Sequence, residues 1–163
     1  MNQITITATS EASAVTASGP DGNGFYLENL FGVNTTTALF ETALSGGNLT
    51  SFLNSSDGTP QIFVGTGDPG LNVWSYTNDA ASQFTDGVQA FSGSATWNVN
   101  SAMYALALLG PESGGIYFVA GSLADVDGAE LLGTWTVVPE PSQAAFLVGA
   151  FAVSLVLLNR RRL

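Results

Sequence analysis

Three carboxylate side chains lie within one six-residue segment and are the residues best suited to hold a metal ion. Asp125, Asp127 and Glu130 offer hard oxygen ligands, which Ca²⁺ prefers, although the full pattern of a helix-loop-helix calcium site is missing. The alternative is a hairpin turn, in which Asp127-Gly128 supplies positive φ and the acids stay in water. The sequence therefore predicts either a calcium site or a solvated turn in this segment.

Aromatic side chains near predicted turns are the candidates for stacking on sugar rings. Trp74, Tyr76 and Phe84 lie close to turn sequences and would form a sugar-binding patch if they are exposed together. Trp97 and Trp135 instead lie in segments with regular alternation, which favours the core. Because aromatic side chains in sheets are more often core residues, burial is the alternative for all of them.

Most catalytic chemistry is excluded by what the chain lacks. It contains no His, Cys or Lys, which removes the usual nucleophile and base pairs, most ligands for transition metals and Schiff-base chemistry. A small glycoside hydrolase needs only two carboxylates and stays an alternative. A small domain without Lys or Arg to order a substrate argues against it, so we expect no enzyme and no cofactor apart from the candidate calcium.

The charges are divided unevenly along the chain. Thirteen acidic residues face three Arg, giving a formal net charge of −10, and twelve of the thirteen acids precede Pro139, where no basic residue occurs. Such a surface repels phosphates, because binding them depends on Lys and Arg. Nucleic acid is therefore excluded as a partner.

Alternation of apolar and polar residues predicts short strands, separated by turns rich in Gly, Asp and Pro, over residues 1–138. This spacing is typical of an all-β sandwich or barrel. A short helix is predicted over residues 36–44, where apolar residues share one helical face. The predicted strands are residues 3–9, 25–31, 61–66, 72–77, 88–98, 103–109, 115–121 and 131–138.

Residues 139–163 form a second region with different chemistry. Pro139 and Pro141 prevent strand or helix continuation, and an uncharged apolar run follows over residues 144–158. As a helix this run spans about 22 Å, which is short for a bilayer, but residues 143–159 with snorkelling Arg side chains would cross a thin one. The positive-inside rule then places Arg160, Arg161 and Arg162 in the cytoplasm and residues 1–138 outside.

The tail resembles the PEP-CTERM sorting signal of Gram-negative bacteria. The resemblance is carried by Val138, Pro139, Glu140 and Pro141, then the short apolar segment and the Arg cluster at 160–162. It implies recognition by an exosortase, a membrane protease or transpeptidase that cuts near the motif, and passage to the cell surface or an exopolysaccharide matrix.

The segment from Trp97 to Trp135 also resembles ectodomains that precede such tails. The similar features are the two Trp residues, a strand over residues 104–108 and the sequence from Gly114 to Phe118. This looser resemblance implies a jelly-roll-like β-sandwich ectodomain over residues 1–138. Together with the apolar run of the tail, the expected fold is this sandwich followed by a single C-terminal transmembrane helix. It implies no activity.

The first eight residues lack the basic and apolar regions of a secretory signal peptide and alternate as a strand. Because a domain outside the cytoplasm must be exported, we expect that the chain begins downstream of a signal, that its start is placed too late, or that export uses another route.

These observations predict an exported surface or matrix protein, first held in the inner membrane, with a structural or adhesive role among exopolysaccharides. The alternatives are a carbohydrate-binding module that uses an exposed aromatic patch and, less favoured, the small glycoside hydrolase.

Overall fold

The computed structural model describes residues 2–20, 24–41, 44–47, 49, 61–74 and 81–138. This part of the chain consists mainly of β-strands with few helices, which confirms the predicted all-β class. Its strands are β1 (Gln3–Thr7), β2 (Ala17–Pro20), β3 (Phe25–Leu27), β4 (Leu39–Glu41), β5 (Leu44–Gly47), β6 (Gln61–Val64), β7 (Leu71–Trp74), β8 (Ala81–Phe84), β9 (Ser94–Asn98), β10 (Ser113–Phe118) and β11 (Glu130–Thr136). The helices are α1 (Ser101–Leu109) and a 3₁₀ helix (Leu123–Gly128).

The strands form three antiparallel sheets. The largest has six strands in the order β11-β10-β3-β7-β6-β4, a second has the order β1-β9-β5, and β2 pairs with β8. One hydrophobic core is shared by side chains from all three sheets. On the small β1-β9 ladder, Thr5 and Thr96 hydroxyls lie 2.9 Å apart on the side away from that core.

Alternation explains which side chains enter the core. Successive side chains of a strand point to opposite faces of the sheet. In β3, β6 and β7 of the six-stranded sheet the alternate apolar residues therefore share one face, which packs into the core. In β11 the register shifts opposite Ile116 and Tyr117, so Leu132 and Trp135 are both buried although they are three positions apart. The core residues of this sheet are Phe25, Leu27, Ile62, Val64, Leu71, Val73, Phe118, Leu132 and Trp135.

Seven of the eight predicted strands overlap a strand of the structure. They correspond to β1, β3, β6, β7, β9, β10 and β11, each of which is shorter than predicted. Residues 75–77, the end of one predicted strand, lie outside the described residues. The sequence prediction missed β2 and β8, which are short and begin with Ala and Ser, so they give a weak alternation signal.

The predicted strand at residues 103–109 is wrong, because this segment is helix α1. Asn100 caps the helix: its side-chain oxygen accepts a hydrogen bond from Met103 N at 2.9 Å. The following Ala and Leu residues are strong helix formers, and Gly110-Pro111 ends the helix. The Tyr-Ala-Leu-Ala-Leu alternation, which also entered the resemblance to known ectodomains, was therefore a misleading signal.

The predicted helix at residues 36–44 is also wrong. Leu39–Glu41 forms β4, which pairs with β6 in the register Leu39 to Val64, and β5 begins at Leu44. A helix of nine residues gains little from local propensity, so tertiary pairing with the sheet decides its structure.

Candidate functional site

The candidate calcium residues lie in and after the 3₁₀ helix. The Asp125 carboxylate accepts hydrogen bonds from Gly121 N at 3.0 Å and from the Ser122 hydroxyl at 2.8 Å. Both bonds favour the charged form and hold the pKa of Asp125 below its usual value. The bond from the Ser122 hydroxyl has the larger effect, and that from Gly121 N the smaller. The carboxylate therefore fastens its own loop.

Asp127 and Glu130 are both exposed, and the structure does not bring the three acids together as a metal site. Among the described residues, no group of three His, Cys, Asp or Glu side chains is arranged to hold a metal ion. The alternative prediction was a hairpin turn with the acids in water, and all three acids are indeed exposed. The predicted positive φ at Asp127-Gly128 is wrong, because this stretch forms a 3₁₀ helix.

Of the three side chains in the predicted aromatic patch, the structure describes that of Phe84. Phe84 is only 4% exposed, and its ring lies 4.9 Å from that of Phe118, so it is a core residue and is not available to a sugar. The backbone of Trp74 ends β7, and Tyr76 lies outside the described residues. Trp97 and Trp135 are buried at 0% and 8% exposure, which confirms the prediction that both belong to the core.

The sorting-signal residues begin where the described chain ends. Strand β11 ends at Thr136, and Val138 is 83% exposed. Pro139, Glu140, Pro141, the predicted membrane segment 143–159 and Arg160, Arg161 and Arg162 lie outside the described residues. Within the described ranges, no helix has the length and apolar character needed to cross a membrane.

A row of large side chains crosses the six-stranded sheet on the face opposite the core, here called the outer face. Register places these residues side by side on five neighbouring strands, about 4.8 Å apart from strand to strand. The row alternates in sequence with core residues, which explains why it lies on the outer face. It consists of Leu131, Tyr117, Tyr26, Asn72 and Phe63.

The middle of this row is covered by residues 119–129, which connect β10 to β11 and are here called the strap. Val119 starts the strap with φ of 60°, a left-handed conformation that β-branched residues rarely adopt. The buried side chain of Asn72 donates to the carbonyl oxygen of Ala120 at 3.0 Å. Tyr26 and Asn72 are therefore enclosed between the sheet and the strap.

Asp68 fastens the strap to the sheet. One of its carboxylate oxygens accepts hydrogen bonds from the Tyr26 hydroxyl and from Gly70 N, the latter at 2.9 Å. The other oxygen accepts from Leu123 N of the strap at 3.0 Å. Burial, then the hydrogen bond to Asp68, raises the pKa of Tyr26 far above its usual value, so the phenol stays protonated.

The open end of the row lies on β10 and β11. Tyr117 is half-buried there and its partner Leu131 is 43% exposed. Both side chains and the Glu28 carboxylate converge over Gly115: a Cβ atom on Gly115 would lie 2.6 Å from Tyr117 Cε2, 3.1 Å from Leu131 Cδ1 and 3.1 Å from Glu28 Oε2. We call Tyr117, Leu131, Glu28 and Gly115, with Thr134 opposite Gly115, the Tyr117 platform.

The backbone of Glu28 is held at both of its hydrogen-bonding groups. Its N–H donates to Gly115 O at 3.0 Å, and its carbonyl oxygen accepts from Trp135 Nε1 at 3.2 Å. The buried indole thus positions an acidic residue on the outer face. Because residues 1–138 contain no Lys or Arg, no cationic side chain of this region neutralises that carboxylate.

The platform was missed at the sequence level. Alternation in the segment Gly114 to Phe118 predicts that the side chains of Tyr117 and Phe118 lie on opposite faces of the sheet. It does not predict which of these two side chains is exposed to water. Glu28 lies 87 positions before Gly115, so only tertiary pairing reveals that the two are neighbours. A comparison with protein-family models, curated proteins and solved structures finds no match to this chain.

Proposed function

We propose that this chain is an exported surface or extracellular-matrix protein of a bacterium, sorted through its C-terminal residues. The observation that carries the proposal is the order of three features in the tail: Pro139-Glu140-Pro141, the apolar run 144–158 and the Arg cluster 160–162. In this proposal an exosortase-like membrane protease or transpeptidase reads the motif and removes the apolar segment. The chain is first an inner-membrane precursor and then part of the cell surface or matrix.

The end of the described fold supports access to the motif. Strand β11 lies at the edge of the six-stranded sheet, and Val137 and Val138 after it are exposed. Pro139 therefore follows a segment that leaves the fold at its surface. The six-stranded and the three-stranded antiparallel sheets both contribute to one core, which supports the finer proposal that residues 1–138 form a jelly-roll-like β-sandwich. In the proposal a membrane helix follows this sandwich.

The proposed role of residues 1–138 is structural or adhesive and involves no catalysis. Their surface carries acidic residues without any Lys or Arg, so self-repulsion keeps copies of the domain apart. Divalent cations would bridge such a surface to anionic polymers of a matrix. A chelator, which removes these cations, should therefore abolish binding of the domain to anionic polymers.

The test of sorting follows the fate of the tail in cells. The chain, placed behind an export signal and carrying an epitope after Leu163, is expressed in a host with an exosortase and in the same host without it. We expect the exosortase to remove the epitope and to move the shortened chain out of the inner-membrane fraction. Replacement of Pro139-Glu140-Pro141 by three Ala should block this cleavage.

The matched control replaces Ser142 and Gln143 by Ala, which keeps the three-residue motif and the apolar run. This control should be processed like the original chain. Retention of the epitope on the unaltered chain in the presence of the exosortase would contradict the proposal.

A further inference from the structure

We infer that the Tyr117 platform binds a neutral polysaccharide, which it holds by the Tyr117 ring and the Glu28 carboxylate. The inference deepens the matrix role and rests on that proposed function for the setting in which the polymer is met. The observations that carry it are the convergence of Tyr117, Leu131 and Glu28 over Gly115 and the absence of cationic residues from residues 1–138.

The apolar part of the platform matches one face of a pyranose ring. Sugar rings present C–H groups on their faces, and an aromatic ring with an adjacent aliphatic side chain packs against such a surface. Tyr117 supplies the ring, and Leu131, at 43% exposure, extends the apolar area onto β11. Because Gly115 has no side chain, both can lie directly over its backbone, where a Cβ atom would meet them at 2.6 and 3.1 Å.

The polar part of the platform matches the hydroxyl groups at the edge of the ring. A carboxylate offers only acceptors, so Glu28 would accept hydrogen bonds from sugar hydroxyls. Its backbone is fixed by Gly115 O and by Trp135 Nε1, which reduces the ordering needed when a ligand binds. The exposed Thr134 adds a hydroxyl that both donates and accepts.

Charge decides which polymer fits. Uronic acids, sulfated sugars and phosphates would each bring a negative group next to Glu28, and residues 1–138 hold no Lys or Arg to pair with it. A second copy of the chain that bound through the same platform would bring its own Glu28 carboxylate next to the first, and the two negative charges would repel each other. A neutral hexose polymer brings no negative charge and is not repelled by Glu28.

The test is affinity electrophoresis of the full chain in native gels that contain a neutral or an acidic polysaccharide. A polyoxyethylene detergent keeps the tail in solution without the sugar headgroup of alkyl glycosides, which would compete for the platform. The probes are galactomannan, mixed-linkage β-glucan and dextran as neutral polymers, with alginate as the acidic one. We expect at least one neutral polymer to retard the chain in the presence of chelator, and alginate to leave its mobility unchanged there.

Two variants address the platform, and two serve as controls. Tyr117→Ala and Glu28→Gln should each weaken the retardation about tenfold or more, as expected for a lost ring contact or charged hydrogen bond. Tyr117→Phe should bind within about threefold of the unaltered chain, because the ring stays. Tyr104→Ala, on helix α1, should bind unchanged. Glu28→Gln keeps the side-chain shape, so it decides the question if Tyr117→Ala fails to fold.

Absence of retardation by all three neutral polymers, or equal retardation of the unaltered chain and both platform variants, would overturn the inference. Retardation by alginate alone, lost with chelator, would also overturn it and would indicate cation bridging. Tail processing in cells is read separately through the epitope, so failure of the platform and failure of the sorting proposal are distinguishable.

Discussion

Phe118 and Tyr117 are neighbours in β10, yet their side chains lie on opposite faces of the six-stranded sheet. Phe118 is fully buried and packs against the ring of Phe84 in the shared core. Tyr117 is half-buried beside a carboxylate and at the rim of the strap. One face therefore serves stability, and we propose that the open end of the other serves binding.

The outer face itself contains two kinds of environment. Its middle, at Tyr26 and Asn72, is enclosed by the strap and held by hydrogen bonds to Asp68 and Ala120. Its open end carries Tyr117 and Leu131, which no such bond network encloses among the described contacts. An aromatic residue on the outer face is thus a structural residue under the strap and a candidate binding residue beyond it.

The largest effect is expected for Phe118→Ala on the core face. Removal of this fully buried ring leaves a cavity beside Phe84, and the cost in the free energy of unfolding should be about 3–5 kcal/mol. Urea unfolding followed by circular dichroism measures it. A cost below that of Tyr117→Ala would contradict the assignment of the two faces.

The next effect concerns the fastening of the strap. Asp68→Asn replaces one carboxylate oxygen by an amide nitrogen, which only donates. The single remaining oxygen cannot accept from both Gly70 N and Leu123 N. We expect the free energy of unfolding to fall by about 2–3 kcal/mol. Amide exchange in residues 119–129, measured by hydrogen exchange with mass spectrometry, should become faster. Unchanged exchange in the strap would show that Asp68 does not hold it.

Tyr26→Phe tests the enclosed middle of the face through pH. The raised pKa of Tyr26 means that its contribution to stability is full below the unfolded value of about 10 and is lost as the pH rises above it. At neutral pH the free energy of unfolding of the variant should be about 1–2 kcal/mol lower than that of the unaltered chain. When the pH rises above about 10, the variant should lose less stability than the unaltered chain does. Parallel curves of stability against pH would contradict the enclosure of this hydroxyl.

Tyr117→Ala should have a modest effect on folding. The side chain is half-buried on an open face, so we expect a cost of about 1 kcal/mol, well below that of Phe118→Ala. The comparison is made in the same urea unfolding series. A loss as large as that of Phe118→Ala would show that Tyr117 is a core residue and would weaken the platform.

The smallest effect is expected for Asp125→Asn in the strap. The exposed carboxylate accepts from Gly121 N and from the Ser122 hydroxyl through the same oxygen, and the amide of Asn keeps one such oxygen. The substitution therefore removes only the charge of the acceptor, and the free energy of unfolding should fall by about 0.5 kcal/mol. Because the pKa of Asp125 is lowered, this contribution is present above its unfolded value of about 3.9 and is lost as the pH falls. The cost of the substitution should therefore be seen at neutral pH and disappear in acid.

Most strands of the fold could be predicted from the alternation of apolar and polar residues in the sequence. Segments such as Gln61–Val64 and Ser94–Asn98 alternate in burial, and Ile62, Val64 and Trp97 lie in the core as that alternation requires. Helix α1 could not be separated from a strand by alternation, because its Ala and Leu residues fit both periods and the Asn100 cap decides between them. Strands β4 and β5 needed tertiary pairing with β6 and β9 to be recognised.

The outer face was much harder to predict than the core. Phe84 lies close to a turn sequence, yet its ring is buried, because β8 pairs with β2 over the shared core. Glu28 and Gly115 are distant in sequence and meet only through the pairing of β3 with β10. The acidic trio at 125–130 had the composition of a metal site, but the 3₁₀ helix directs Asp125 to its own loop.

The most direct test of the central claim, that the outer face holds the ligand at the Tyr117 platform, is carboxyl footprinting with and without the retarding neutral polysaccharide. Carbodiimide activation couples glycine ethyl ester to accessible carboxylates, and peptide mass spectrometry reads each site. The chain has no Lys, so internal Lys cross-links do not compete. Labelling of Glu28 should fall at least severalfold on binding, while that of Asp86, Glu112 and Asp127, which lie outside the platform, should stay constant. Unchanged labelling of Glu28 under conditions where the polysaccharide is bound would contradict the account.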